Sequence, residues 1–417
     1  NLKSHVDHVW RQVLLRSIGP DGLFYIPLEG RPWSKNGVMW GPTVWRADGT
    51  TTNIDDKSVT QITHPFPIGR VLSILTLHWL HDRDPVWKDT AQRMIDRSLE
   101  LMVDKGDYGY LPTGLFEPGA KVAANAELPT GLIGLESYAR LIQGPAHFYR
   151  ATGYEPARRL SKKLSHSVRH HGKNFDADGR FLASGPIEGQ LGGPHFHAHT
   201  FALLSMLDYA VAAGDQELIG FVKKSYEWAR GQGSATVGFF PEWLQPDYPS
   251  SETCEVADMV ALAIKLSQAG AGDYWDDADR WIRNQFAENQ LTKIDWIRPL
   301  TENLPAAPPR PHGTLDRVAE RNLGAFAGWP SANEWTNSGQ GIMHCCTGNG
   351  ARALYYVYQG VLDEKGGELR VNLLLNRAAC SVDVYSDLPY EGRVKLRIKK
   401  PLTRVLVRMP EWVTEKT

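Results

Sequence analysis

Four side chains in this 417-residue chain have the types and neighbours for metal or thiol chemistry: Glu252 and Cys254 in "SSETCEVADM", and Cys345 with Cys346 in "GIMHCCTGNG". Only one other cysteine, Cys380, occurs, and the set is too small and too unevenly spaced for a disulfide framework. A disulfide between sequence neighbours closes a strained ring, because the planar peptide between them resists the required geometry. Free thiols or metal ligands are the expected states. Soft thiolates with one hard carboxylate in a four-coordinate shell suit Zn2+, and Glu252, Cys254, Cys345 and Cys346 supply that set. In an extended approach to a helix, residues 252 and 254 point to one side; the adjacent pair needs a tight irregular turn, which the flanking glycines permit. The bland alternative is that the cysteines are small buried hydrophobes.

A helical apolar period starts directly after both motifs, with Ser250 or Ser251 as the candidate cap of the first helix and Thr347 or Asn349 of the second. Three of the four cysteines therefore precede or open a helix, where exposed N–H groups and the macrodipole favour thiolate. His195, His197 and His199 in "GGPHFHAHTF" would share a face in extended chain, as a second metal site or as ligand-binding groups. Glu117, Glu127, Glu136, Glu188, Glu242, Asp247 and Glu334, read as loop carboxylates, are candidate acids, each equally readable as a cap or a solvated charge.

The elements that must position these groups are mostly helices. Apolar residues recur with helical spacing through most of the first 360 residues, as in "IGRVLSILTLHWLH" and "DTAQRMIDRSLELMVD". Turns marked by Asp84, Tyr154, Asp215 and Asp273 separate paired helices at intervals of 70, 61 and 58 residues, the length of a helical hairpin with its return loop. Long Gly-, Pro- and aromatic-rich stretches, residues 108–131, 181–200 and 234–251, lie between hairpins at one end, which favours a closed ring over an open solenoid. From about Gly367 the period becomes two, in "ELRVNLLLN", "CSVDVYSD", "RVKLRIKK" and "TRVLVRMP". The expected fold class is mainly α: an (α/α)6 toroid or barrel over residues 1–366, then the start of a β-sandwich domain over 367–417, incomplete within this chain.

Lys plus Arg number 46 against 47 Asp plus Glu, so no global charge draws the protein to nucleic acid or an anionic membrane. No apolar run reaches the length that spans a bilayer. A neutral partner fits better, and 14 tryptophans in a chain with 10% aromatics offer faces for a sugar ring, although most belong to the core.

"SETC" before a helix, the doublet in "HCCTGNGARALYYVY", the helix "ESYARLIQGPAHFYRATG", and "VDVYSDLPYEGRVKLRI" with "VLVRMPEWV" together resemble glycoside hydrolase family 127, the β-L-arabinofuranosidase family and its relatives. The resemblance runs through most of the chain. It implies an α/α barrel with β-sandwich domains and a retaining exo-glycosidase that removes a terminal sugar from a glycan. In that reading Zn2+ is held by Glu252, Cys254, Cys345 and Cys346, with Cys345 as the nucleophile. The family's acid is a glutamate a little upstream of the E-x-C motif, and "ATVGFFPEW" lacks one at that spacing; Glu242 is the nearest candidate and Glu188 the reserve. In "GLESYARL" the family's sugar-binding His-Glu-Leu-Tyr pattern has Leu135 in place of histidine, while Glu136 and Tyr138 match. His199 matches a pocket histidine, with His197 beside it. Two rival readings are a toroid glycosidase or lyase that uses carboxylates beside a structural zinc, and a non-catalytic sugar-binding protein. A homodimer through the β domain is the expected assembly, and free cysteines without a visible signal peptide point to the cytoplasm rather than to secretion.

Overall fold

The computed structural model describes residues 2–29, 41–301, 303, 317–329 and 343–414, so the candidate acid Glu334 lies outside the described residues. The chain divides into two compact units, Asn1–Ser225 and Tyr226–Thr417. That division falls inside a helix, whereas the first strand of the C-terminal β-rich part starts at Leu362.

The first unit carries helices α1 (Leu2–Arg16), α2 (Pro65–Asp82), α3 (Pro85–Glu100), α4 (Gly131–Thr152), α5 (Glu155–His166), α6 (Gly185–Leu191) and α7 (Phe196–Ala213), and α8 (Gln216–Arg230) follows. Short strands β1 (Ile26–Pro27), β2 (Thr43–Trp45), β3 (Thr51–Asn53), β4 (Gln61–Ile62), β5 (Val103–Asp104), β6 (Gly109–Tyr110) and β7 (Leu115–Phe116) line the connections. The expected helix turns are present. Asp84 caps α3 by accepting the Val86 N–H at 3.0 Å ahead of a proline in the first turn, and the Asp215 carboxylate accepts the Leu218 N–H at 3.0 Å where α8 begins.

Two kinds of helix alternate. Every residue of α7 from Phe196 to Leu207 is buried, as is most of α4. By contrast α3 buries one stripe, Trp87, Ala91, Met94, Ile95 and Ser98, and α5 another, Ala157, Leu160 and Leu164. Helices apolar all round belong inside and single-stripe helices outside, the pairing of an α/α hairpin. At the α2–α4 crossing a Cβ on Gly69 would meet the Arg140 carbonyl carbon at 2.2 Å, and one on Gly144 would meet the Gly69 oxygen at 2.4 Å, so only glycine lets these backbones approach.

The second unit holds α9 (Thr253–Gln268), α10 (Trp275–Trp281), α11 (Ile297–Thr301), α12 (Val318–Arg321) and α13 (His344–Gly360). Strands β8 (Leu362–Lys365), β9 (Glu368–Val371), β10 (Arg377–Ala378), β11 (Val382–Ser386), β12 (Val394–Ile398) and β13 (Arg404–Val407) complete it. They form two three-stranded sheets, β13-β9-β8 with β9 and β13 parallel, and antiparallel β10-β11-β12. The four alternating segments read from the sequence become β9, β11, β12 and β13. Strand β8 escapes such a reading because three of its four residues, Asp363, Glu364 and Lys365, are polar and exposed.

Candidate metal centre and active site

The two cysteine motifs meet because one short backbone segment binds the first turns of two helices. The Phe326, Ala327 and Gly328 carbonyls accept, respectively, the Thr347 hydroxyl at 3.1 Å, the Thr253 hydroxyl at 2.6 Å and the Thr253 N–H at 3.1 Å. Thr253 opens α9 and Thr347 lies in the first turn of α13, so this segment sets both helix starts side by side. Below it Val256, Ala257, Phe286, Phe326 and Ala353 form a buried cluster.

The caps differ from those expected. Glu252 itself is the N-cap of α9, in a capping box with Glu255, whose carboxylate accepts the Glu252 backbone N–H. Met343 is the N-cap of α13, so Cys345 and Cys346 lie within its first turn rather than in an irregular turn ahead of it. Glycine freedom is not needed there, because the helix start already directs both sulfurs to one side.

Glu252, Cys254, Cys345 and Cys346 each present a ligand atom within 4.8 Å of the other three. The sulfurs of Cys254 and Cys346 are 3.4 Å apart, those of Cys345 and Cys346 3.6 Å, and Glu252 Oε1 is 3.0 Å from the Cys346 sulfur and 3.6 Å from that of Cys345. Tetrahedral zinc, with sulfur at about 2.3 Å and oxygen at about 2.0 Å, spaces its ligands about 3.8 Å (S···S) and about 3.5 Å (S···O) apart. The cluster is a slightly contracted version of that shell, drawn in by its own hydrogen bonds, and the donor set fits the ion. None of the four cysteines is in a disulfide. Cys254 and Cys346 are 0% exposed and Glu252 5%, whereas Cys345 is part-exposed, so one thiol of the set opens outward.

The helix ends do not by themselves make thiolates here. Burial pushes the Cys254 thiol well up, aided by hydrogen bonding to Cys345 and Cys346 and by the Glu252 charge. For Cys346 the hydrogen bond accepted from Cys254 pulls down, but the one it makes to Cys345, together with burial, wins and the thiol also lies above its ordinary range. A cation among the donors would offset this. Glu255, 0% exposed, is likewise pushed well up, first by burial and then by the neighbouring Glu252.

Glu242 reaches the same place. One of its carboxylate oxygens lies within 4.8 Å of one of Glu252. Its Oε2 accepts the Tyr248 hydroxyl and the Trp329 indole N–H, both at 2.8 Å, and the side chain is 9% exposed. Sequence reasoning missed Tyr248, Trp329 and Glu255, and it named Asn349 only as a candidate helix cap, whereas its Nδ2 lies 3.1 Å from the Cys254 sulfur. The one available signal was spacing: Asn349 stands three residues after Cys346, on one face of a helix.

His195, His197 and His199 are not in extended chain: His195 caps α7, its ring accepting the Ala198 N–H at 3.3 Å, and the other two lie in the opening turns, where residues two apart diverge. His199 is 0% exposed, with Nδ1 2.8 Å from the His195 carbonyl and Nε2 3.1 Å from that of Asn174; burial lowers its pKa. His197 is 5% exposed. Glu188 is 0% exposed on α6 and its two oxygens accept the Ser184 and His195 N–H groups at 2.9 and 3.0 Å, which ties the loop to α7. Tyr138, on α4, donates to the Leu111 carbonyl at 2.6 Å and is buried, whereas Glu136 is part-exposed.

No protein-family model matches this chain, and no curated protein aligns with it significantly. Solved structures do superpose on it. A GH127 β-L-arabinofuranosidase from Geobacillus stearothermophilus T6 does so with a TM-score of 0.55 at 14% identity, over 99% of this chain and 62% of its own. A second GH127 β-arabinofuranosidase gives 0.61 at 16% identity, over 99% and 58%, and a sugar epimerase from a ruminal bacterium 0.51 at 14%, over 75% of each chain. This chain thus spans about three fifths of the two arabinofuranosidases. At these identities the likeness is one of fold: mainly α, an α/α toroid with a small β-rich C-terminal region. Among the described residues no helix is long and apolar enough to cross a membrane.

Proposed function

We propose that this chain carries the catalytic part of a glycoside hydrolase that removes a terminal sugar from a glycan, with Cys345 as nucleophile and Glu242 as acid and base. Glu252, Cys254, Cys345 and Cys346 would hold Zn2+, whose positive charge supplies what the buried sulfurs need to stay deprotonated. The observation that carries this reading is the closed set of four donors, three buried and one, Cys345, open to approach. The superposition on glycoside hydrolases supports the class of reaction.

In the first step the Cys345 sulfur attacks the anomeric carbon while the bond to the leaving oxygen breaks, and the Glu242 carboxyl gives that oxygen its proton. Tyr248 and Trp329 both donate to Oε2, which leaves Oε1 as the oxygen through which the proton would pass. In the second step the Glu242 carboxylate takes a proton from water, the hydroxide attacks the anomeric carbon, and the carbon–sulfur bond breaks to return the thiolate. Two inversions give retention. Glu188, enclosed and bound by two N–H groups, is assigned to positioning, and Glu136 and His197 to sugar contact.

The test is Cys345→Ala, assayed with the zinc-loaded protein on a panel of aryl glycosides that includes β-L-arabinofuranosides. Loss of turnover by at least about a thousandfold is expected, along with a sugar adduct on Cys345 trapped by mass spectrometry in the wild type. Near-normal turnover by the variant would overturn the assignment and favour carboxylate chemistry beside a structural ion.

A further inference from the structure

Residues 326–328 set the two helix starts side by side, but a ligand sulfur must also be aimed at the ion. Cys254 lies on α9, 0% exposed, and its sulfur is 3.4 Å from that of Cys346 and 3.1 Å from the side-chain nitrogen of Asn349 on α13. Asn349 is 5% exposed, so this amide sits in the interior rather than at a wet helix surface. One turn further along each helix, Arg352 pairs with the fully buried Asp258 at 2.7 Å. Cys346, Asn349 and Arg352 recur at three-residue intervals along α13, facing Cys254 and Asp258, four residues apart on α9. Along this seam the contacts pass from sulfur with sulfur, to amide with sulfur, to an ion pair.

We infer that Asn349 is a positioning residue of the metal centre, whose side-chain N–H donates to the Cys254 sulfur and fixes that sulfur towards the other three donors. This rests on the zinc-binding part of the reading above, not on the glycosidase part. An amide nitrogen has only hydrogens to offer, so at this distance the sulfur is the acceptor, and an accepting sulfur is one prepared to act as a ligand. The bond also sets the Cys254 rotamer, since α13 presents Asn349 from a rigid helical turn anchored by the Arg352–Asp258 pair. Groups that orient metal ligands in this way change metal affinity about 10- to 100-fold when removed.

Asn349→Asp keeps size and shape but removes the donor and sets a carboxylate against the sulfur; Asn349→Ala removes the group outright. Zinc affinity is measured by competition with a chromophoric chelator, and the Co2+-loaded proteins are compared by their sulfur-to-cobalt charge-transfer band. Both variants are expected to bind zinc at least about 10-fold more weakly than wild type, Asp more so than Ala, with a displaced cobalt band. A packing role alone would lower the unfolding midpoint of the metal-free protein while leaving affinity and band unchanged, and that result overturns the inference. If the aspartate variant does not fold, the alanine variant decides by the same two readouts. A wild-type protein with no thiolate-to-cobalt band overturns this inference and the zinc reading together, whereas an intact wild-type band with unaltered variants overturns this inference alone.

Discussion

A sulfur in the interior gives up its proton only where positive charge replaces it. Cys254 and Cys346 are both pushed above the ordinary thiol range, in the first case by burial above all, and the nearby Glu252 charge adds to the effect. At neutral pH the metal-free centre therefore keeps these protons, and a divalent ion must expel them on entering. Because protons and ion compete for the same sulfurs, falling pH weakens zinc binding and rising pH strengthens it. Titration calorimetry in two buffers of different protonation enthalpy should count at least about two protons released per zinc, with affinity climbing from about pH 6 to about pH 8. An affinity flat across that interval, or no proton release, would contradict the assignment of these sulfurs as ligands. That Glu252 and three cysteines could share one ion was legible from residue type and spacing. Their protonation was not: a helix start predicts thiolate, and burial, which a sequence displays poorly, reverses it.

At the scale of elements, the junction of α9 and α13 depends on how closely α13 approaches the segment that binds both helix starts. A Cβ on Gly350 would meet the Phe326 ring at 2.5 Å. Phe326 is 2% exposed within its apolar cluster, and its carbonyl holds Thr347, so the ring cannot yield without shifting that segment. Gly350→Ala is expected to cost about 1–3 kcal/mol through overpacking, outweighing the roughly 1 kcal/mol by which alanine favours a helix interior. Urea unfolding measures the balance, and a net gain in stability would show that the ring has room. The helical hairpins were readable because their turns announce themselves: Asp84 before a proline, Gly153 and Gly214 in left-handed conformation at the ends of α4 and α7. The caps at the site were not, because Glu252 and Met343 are poor statistical caps; Glu252 is held by its capping box with Glu255, and the 326–328 backbone binds the first turns of both helices. The same holds for Tyr248 and Trp329, which meet at Glu242 only in the folded chain.

At the scale of the molecule, a toroid shared with hydrolases and an epimerase leaves the chemistry to the site it carries. That site also bears on stability, because its donors come from two places some ninety residues apart in one unit. An ion that binds the folded chain and leaves on unfolding, held at a hundred times its dissociation constant, stabilises the fold by about 2.7 kcal/mol through mass action. The four ligands all belong to the second unit, whereas the buried faces of α4 and α7 belong to the first. Chelation of the zinc-loaded protein should therefore lower the unfolding midpoint and strip amide-exchange protection from the first turns of α9 and α13 and from residues 326–328, while α4 and α7 keep theirs. Restored zinc should return the protection in step with its affinity. Loss spread evenly over both units would mean that the ion acts on the whole fold, and no change would mean that the four donors are held together without it.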